Sequence, residues 1–183
     1  MKTCKVCKVK FEPFTNSLQR VCSIKCAIYI SKQLTRKNDK AEMALRKIKI
    51  MSLQDYIIPC QKIFNSYIRE RDKHLGCISC QRKLIEKGRK NKFDAGHYYN
   101  VGGHGILRFN EDNVHAQCVF CNQKKHGNLI PYRKRLIKKI GLERFEALEK
   151  SAEVYYKFTI DEVKGLTAKY KLMLKQLKSI NND

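Results

Sequence analysis

The chain has 183 residues, 43% of them apolar, which suits one ordinary folded domain or two small modules joined by helices. Lys+Arg 39 against Asp+Glu 17 leave a formal charge of +22, an excess that points to a polyanionic partner. The opening MKTCKVCKVK has no apolar core for a secretory signal, and no stretch approaches the run of about 18 apolar residues that spans a membrane, so a cytoplasmic, reducing compartment and no membrane partner are expected.

Nine cysteines include four close pairs, Cys4-x2-Cys7, Cys22-x3-Cys26, Cys77-x2-Cys80 and Cys118-x2-Cys121. In a reducing compartment this spacing reads as two four-cysteine zinc sites rather than disulfides. Eight thiolates against two divalent ions lower the formal +22 by four, to about +18. The chain stays basic, as expected of a nucleic-acid binder.

In chain order, residues 1–26 read as a zinc knuckle, with fourteen residues between Cys7 and Cys22 and too little apolar material to fold without metal. Residues 27–75 read as a basic helical linker, from about Ala27 to Lys49, followed by a packing helix from Ser52 to Asp72. Arg36, Lys37, Lys40, Arg46, Lys47 and Lys49 make the first of these basic. Leu53, Tyr56, Ile57, Cys60, Ile63, Phe64, Tyr67 and Ile68 give the second its apolar stripe, with Pro59 expected to kink or start it. Cys60, the one unpaired cysteine, lies on that stripe as a core residue.

Residues 76–130 carry the chemistry. Thirty-seven residues separate Cys80 from Cys118, more than a zinc finger needs. Within them, Lys92 to Val101 and Ile106 to Phe109 read as the arms of an irregular hairpin, and Asn122 should open the following helix. Hairpin then helix, with His97 on the first strand and Asn122 on the helix, is the layout of a ββα-metal nuclease module.

Phosphodiester hydrolysis needs an activated water and a cation for the developing charge. A neutral imidazole can take a proton near pH 7, which makes His97 the candidate general base. Asp94 and Asn122 offer oxygens to a hard cation such as magnesium or manganese, and Asn113 is cast as the residue that fixes the hairpin loop. His104 is expected exposed in a Gly-rich turn, and His115 as a neighbour of the zinc ligands. His126, four residues after Asn122, would share its helical face.

Residues 131–183 read as C-terminal helices: Tyr132 to Ile140 closed by Gly141, Leu142 to Lys150, and a long helix from a Thr159-x-x-Glu162 capping box to about Ile180. Arg133, Lys134, Arg135, Lys138 and Lys139 on the first of them are the candidate DNA-backbone contacts. The fold class is α+β and mainly helical.

Several of these stretches resemble the NinG family of phage recombination proteins: both N-terminal cysteine pairs, Tyr67-Ile-Arg-Glu-Arg-Asp72, Phe93-Asp-Ala-Gly-His97-Tyr, Leu107-Arg-Phe-Asn-Glu-Asp-Asn113, Gln117-Cys-x2-Cys-Asn-Gln123 and Gly127-Asn-Leu-x-Pro-Tyr-Arg133. The resemblance implies a phage or prophage recombination endonuclease of HNH type, acting on D-loops and Holliday junctions in the bacterial host cytoplasm. A homodimer and phage or host recombination proteins are its expected partners. The site is also similar to that of the junction resolvase endonuclease VII, in which the Asn after the last zinc cysteine binds magnesium, the place of Asn122 here. One departure stands out: HNH sites place the Asp directly before the base His, whereas Asp94 is three residues before His97, so a bulge at Gly96 would have to close the gap. Two other readings remain open, a non-catalytic zinc-containing nucleic-acid-binding regulator and an HNH enzyme that cuts linear duplex.

Overall fold

A computed structural model describes residues 1–14, 16, 18–83 and 93–180. The chain divides into two compact units, Met1–Met51 and Ser52–Asp183. The basic stretch expected as a linker thus belongs to the first unit, while the packing helix and everything after it build the second.

In the first unit, β1 (Lys2–Thr3) pairs antiparallel with β2 (Lys10–Phe11), and α1 runs from Ile24 to Ile50. Ser23 caps α1 by accepting from the Cys26 amide, so the helix starts three residues before the expected Ala27 and carries Cys26 in its first turn. None of its residues is buried.

The second unit starts with α2 (Leu53–Asp72), where the Asp55 carboxylate accepts from the Ser52 amide and hydroxyl, each at 2.8 Å. Of the two expectations for Pro59, a start there does not occur, since the helix runs continuously through it. The apolar stripe is strong enough to hold the turn without that one amide. Ile57, Cys60, Phe64, Tyr67 and Ile68 pack against Ala95, Phe109, Val114 and, on α5 (Ile160–Ile180), Val163 and Tyr170. Phe64 meets Tyr170 edge-on at 4.7 Å between ring centroids. The α5 start is the expected capping box, with Glu162 accepting from the Thr159 amide and hydroxyl.

The hairpin differs from the expected one in its second arm. β3 is Phe93–His97 and β4 is Val114–Cys118, whereas Ile106 to Phe109 lie in a 3₁₀ turn, Gly105–Phe109. Lys92, expected to begin the first arm, lies outside the described residues. Asn113 folds the intervening loop: fully buried, it accepts from the Tyr99 amide at 2.8 Å and donates to the Tyr99 and Leu107 carbonyls at 3.0 Å. Leu107 and Phe109 are then drawn into two different cores, which a strand could not allow.

After β4 a π-helical turn, Phe120–Lys124, leads into α3 (Leu129–Ile140), which begins three residues before the expected Tyr132. Gly141, at φ +85°, ends α3, and α4 (Leu142–Ala152) follows. Tyr132, Leu136, Phe145 and Leu148 form a second core with Ile78 and Leu107. No helix among the described residues is long and apolar enough to cross a membrane.

Candidate functional site

Both cysteine sets close in space. The sulfurs of Cys4, Cys7, Cys22 and Cys26 lie within 4.8 Å of one another, and so do those of Cys77, Cys80, Cys118 and Cys121. Four sulfurs held tetrahedrally at about 2.3 Å from zinc stand roughly 3.8 Å apart. The Cys22–Cys26 and Cys80–Cys118 separations, 3.8 and 3.7 Å, fit that geometry, and no pair is disulfide-bonded. Each set could therefore hold zinc. Each knuckle turns through a left-handed residue, Lys8 at φ 63° and Gln81 at φ 59°.

At the second cluster burial opposes ionisation, yet the Arg82 backbone draws Cys80 down to about 7, while burial and the neighbouring thiols push Cys118 up to about 12. Four such thiols cannot all ionise together without a cation to balance them. Cys60 stands apart in the first core, its thiol pushed up by burial.

β3 and β4 pair without interruption from Phe93↔Cys118 to His97↔Val114. The bulge expected at Gly96 is absent. Gly96 serves packing instead, since a β-carbon there would stand 2.3 Å from the Gln117 amide oxygen. Regular alternation puts Asp94 and Gly96 on one face with Gln117 and His115, and Ala95 and His97 on the other with Ala116 and Val114.

On the first face the Asp94 carboxylate accepts from Asn122 Nδ2 at 2.8 Å and Gln123 Nε2 at 2.9 Å. Both amides sit on the π-helical turn that Cys121 anchors, so the cysteine cluster places Asn122 against β3. On the opposite face the His97 Nε2 lies 3.1 Å from the Arg108 carbonyl. A carbonyl only accepts, so in the neutral ring Nε2 carries the proton and Nδ1 keeps the lone pair. Burial, with the Arg108 charge, holds the His97 pKa below the ordinary histidine value, against the opposing pull of the Arg108 and Ala95 backbones.

The whole chain matches known proteins of one kind. The family model described as Bacteriophage Lambda NinG protein matches residues 1–180. The chain belongs to the NinG family. It is 36% identical to Protein ninG of Escherichia phage lambda, covering 97% of this chain and 92% of that one. It is 33% identical to Protein ninG of Escherichia phage 933W, covering 100% and 96%, and 34% identical to that of Salmonella phage P22, covering 97% and 93%. No solved structure matches the chain significantly.

In this NinG-family chain three of the five basic residues expected to face DNA have partners of their own. Arg133 reaches Glu149 at 3.3 Å and lies over the Phe145 ring, Arg135 donates to the Ser79 carbonyl, and the Lys139 ammonium sits 3.2 Å from Asp72. Lys134 and Lys138 are exposed. His126 adopts the left-handed conformation (φ 46°) beyond the π-helical turn, so the helical face expected for it and Asn122 does not form. His104 is half-buried rather than exposed, with Nδ1 2.8 Å from the Ala152 carbonyl.

His115, 2% exposed, is wired into a charged cluster. Its Nδ1 lies 2.9 Å from Lys139 Nζ, 3.0 Å from Arg71 Nη2 and 3.5 Å from Asp72, while its Nε2 faces the Asp112 carbonyl at 3.1 Å. Burial holds its pKa down, and so do the two cations, against Asp72. Asp72 also accepts from the Ala116 amide at 3.0 Å, tying α2 to the outer edge of β4, where the Ile78 amide donates to the Ala116 carbonyl.

Two of the positioning residues, Asp72 and Gln117, stand in the NinG-like stretches of the sequence, where the resemblance assigns them no role of their own. Gln117, fully buried, donates to Ser79 Oγ at 2.6 Å and to the Gly127 carbonyl, bridging the two halves of the cysteine cluster. Its amide oxygen has no hydrogen-bond partner among the described residues.

Proposed function

We propose that this NinG-family protein is a divalent-cation-dependent, HNH-type endonuclease that hydrolyses phosphodiester bonds in branched DNA such as D-loops and Holliday junctions. One observation carries the reading: a hairpin carboxylate, Asp94, meets the Asn122 amide on the turn directly after the last cysteine of a zinc-type cluster. Asp94, Asn122 and Gln123 fit a hard cation, because rotating each amide turns its oxygen toward the carboxylate and yields an all-oxygen donor set. Magnesium or manganese held there would supply charge for the developing phosphorane. His97, neutral near pH 7, takes a proton from water at Nδ1 while the Arg108 carbonyl holds its other nitrogen. Asn113 fixes the loop that carries the Arg108 carbonyl. Zinc in the two cysteine clusters holds each module folded. Two cuts resolve a junction and the described residues of one chain carry one such site, so a homodimer working with phage or host recombination proteins belongs to the same proposal.

The strand alternation favours a second reading. Asp94 and His97 face opposite sides of the hairpin and are separated by about 10 Å of extended chain, which suits a non-catalytic zinc protein that binds nucleic acid. The deciding experiment incubates the protein with a synthetic four-way junction and its linear duplex arms, with magnesium or with calcium in its place. Magnesium-dependent cleavage of the junction alone is expected, lost in Asn122→Ala. Binding without cleavage of any DNA would favour the second reading, and equal cleavage of linear duplex would make the enzyme a duplex cutter.

A further inference from the structure

Phe120 stands two residues before Asn122 on the same π-helical turn, and it is 50% exposed and absent from all three apolar cores. A large ring left half in water on so short a turn is held there by its neighbours. Cys121 is fixed in the cluster, the Lys125 amide donates to the Phe120 carbonyl at 3.0 Å, and the Gly127 amide donates to the Asn122 carbonyl at 3.0 Å. The Lys125 ammonium lies over the Phe120 ring, 5.3 Å from its centroid. Apart from the Asp94 carboxylate that Asn122 and Gln123 meet, the chain that carries this turn is charged with one sign. From Asn113 to Leu142 the chain has no Asp or Glu and seven Lys or Arg.

We infer that Phe120 is a stacking platform for an unpaired nucleobase of branched DNA, with Lys125 taking the phosphate beside that base. The inference rests on the endonuclease reading for its choice of DNA and deepens it by naming a residue that selects branched over linear substrate. An aromatic face flanked by a cation is the element with which proteins hold single-stranded bases without reading their sequence. In linear duplex both faces of every base are already stacked, and Phe120 has nothing to gain. At a branch point or flap a base face is free, and stacking it on Phe120 sets the neighbouring phosphodiester beside Asp94 and Asn122. Selection of branched DNA then follows from the availability of a base rather than from its identity.

The test uses the full chain with calcium in place of magnesium, so that binding is read without cleavage. A flapped DNA carries 5-iodouracil at the unpaired position next to the branch, and irradiation followed by mass spectrometry maps the cross-link. The expected cross-link is to Phe120. Phe120→Ala should bind the flapped DNA roughly tenfold more weakly, with its affinity for linear duplex and its zinc content unchanged, and Phe120→Trp should restore binding. Cross-linking elsewhere with unaltered affinity of Phe120→Ala would overturn the inference, and so would an equal loss on linear duplex. A Phe120 cross-link in a protein that cuts no DNA in magnesium would uphold the stacking platform while removing the endonuclease reading.

Discussion

Asp72 and His115 show what a buried charge costs and how it is held. The Asp72 carboxyl is kept well below its ordinary value by His115, Arg71 and Lys139, which together overcome its burial, whereas burial and the two cations keep His115 neutral. Removing one partner strands the others, so Asp72→Asn should lower unfolding stability by about 3–5 kcal/mol, measured by denaturant titration. The pH dependence has a definite sign. A histidine whose folded pKa is lowered binds a proton in the unfolded chain first, so its stability is full above about pH 6.5 and falls as pH drops below it. A carboxyl lowered in the fold acts the same way from about pH 4 downward. Wild type should therefore lose stability between pH 7 and 5 more steeply than His115→Gln. Parallel curves for the two proteins would place the loss elsewhere.

The helices and the hairpin follow different local rules. Gly96→Ala would put a β-carbon against the Gln117 amide, which bridges Ser79 and Gly127, and is expected to cost about 1–3 kcal/mol and weaken zinc retention. Thermal unfolding and zinc release on the variant check it. Metal analysis should give two zinc ions per chain; Cys77→Ser should lose one and unfold Ser52–Asp183, since a small cluster supplies much of its module's folding free energy. One zinc in the wild type would mean that the N-terminal cysteines do not form a closed site.

The α2 and α5 stripes were legible because helical period and capping residues coincide, and both cysteine sets because their spacing is specific. β4 was not, because Val114 to Cys118 is buried on both faces and shows no alternation, while Ile106 to Phe109 imitates a strand inside a turn. Asp72 and Gln117 stood in the NinG-like stretches without a role, because a buried polar residue looks like a surface one until its partners are placed. The Asp94–Asn122 pairing was legible from chemistry, but the missing bulge at Gly96 depends on Gln117 filling the space, which only the packed hairpin reveals.

At the scale of the molecule, the formal charge of +22 is distributed between cations that hold the fold and cations exposed to solvent, which the proposed DNA partner would meet. Arg135 and Lys139 belong to the first group, Lys134 and Lys138 to the second. Each phosphate neutralised by a free cation adds about 0.9 to the negative slope of log affinity against log salt. Lys134→Ala with Lys138→Ala should lower that slope by roughly one to two and weaken binding to all DNAs alike, because phosphate contacts position without reading bases. An unchanged slope would put the DNA on another face.

The central claim, a nuclease whose base is His97, is tested most directly by single-turnover cleavage of a four-way junction by wild type and His97→Ala, with zinc content and junction affinity measured on both. Because Nε2 of His97 faces a backbone carbonyl and touches no zinc-type cysteine, the variant should keep its zinc and its affinity and cleave about 10²- to 10⁴-fold more slowly. Cleavage at the wild-type rate by a folded, zinc-loaded His97→Ala protein would contradict it.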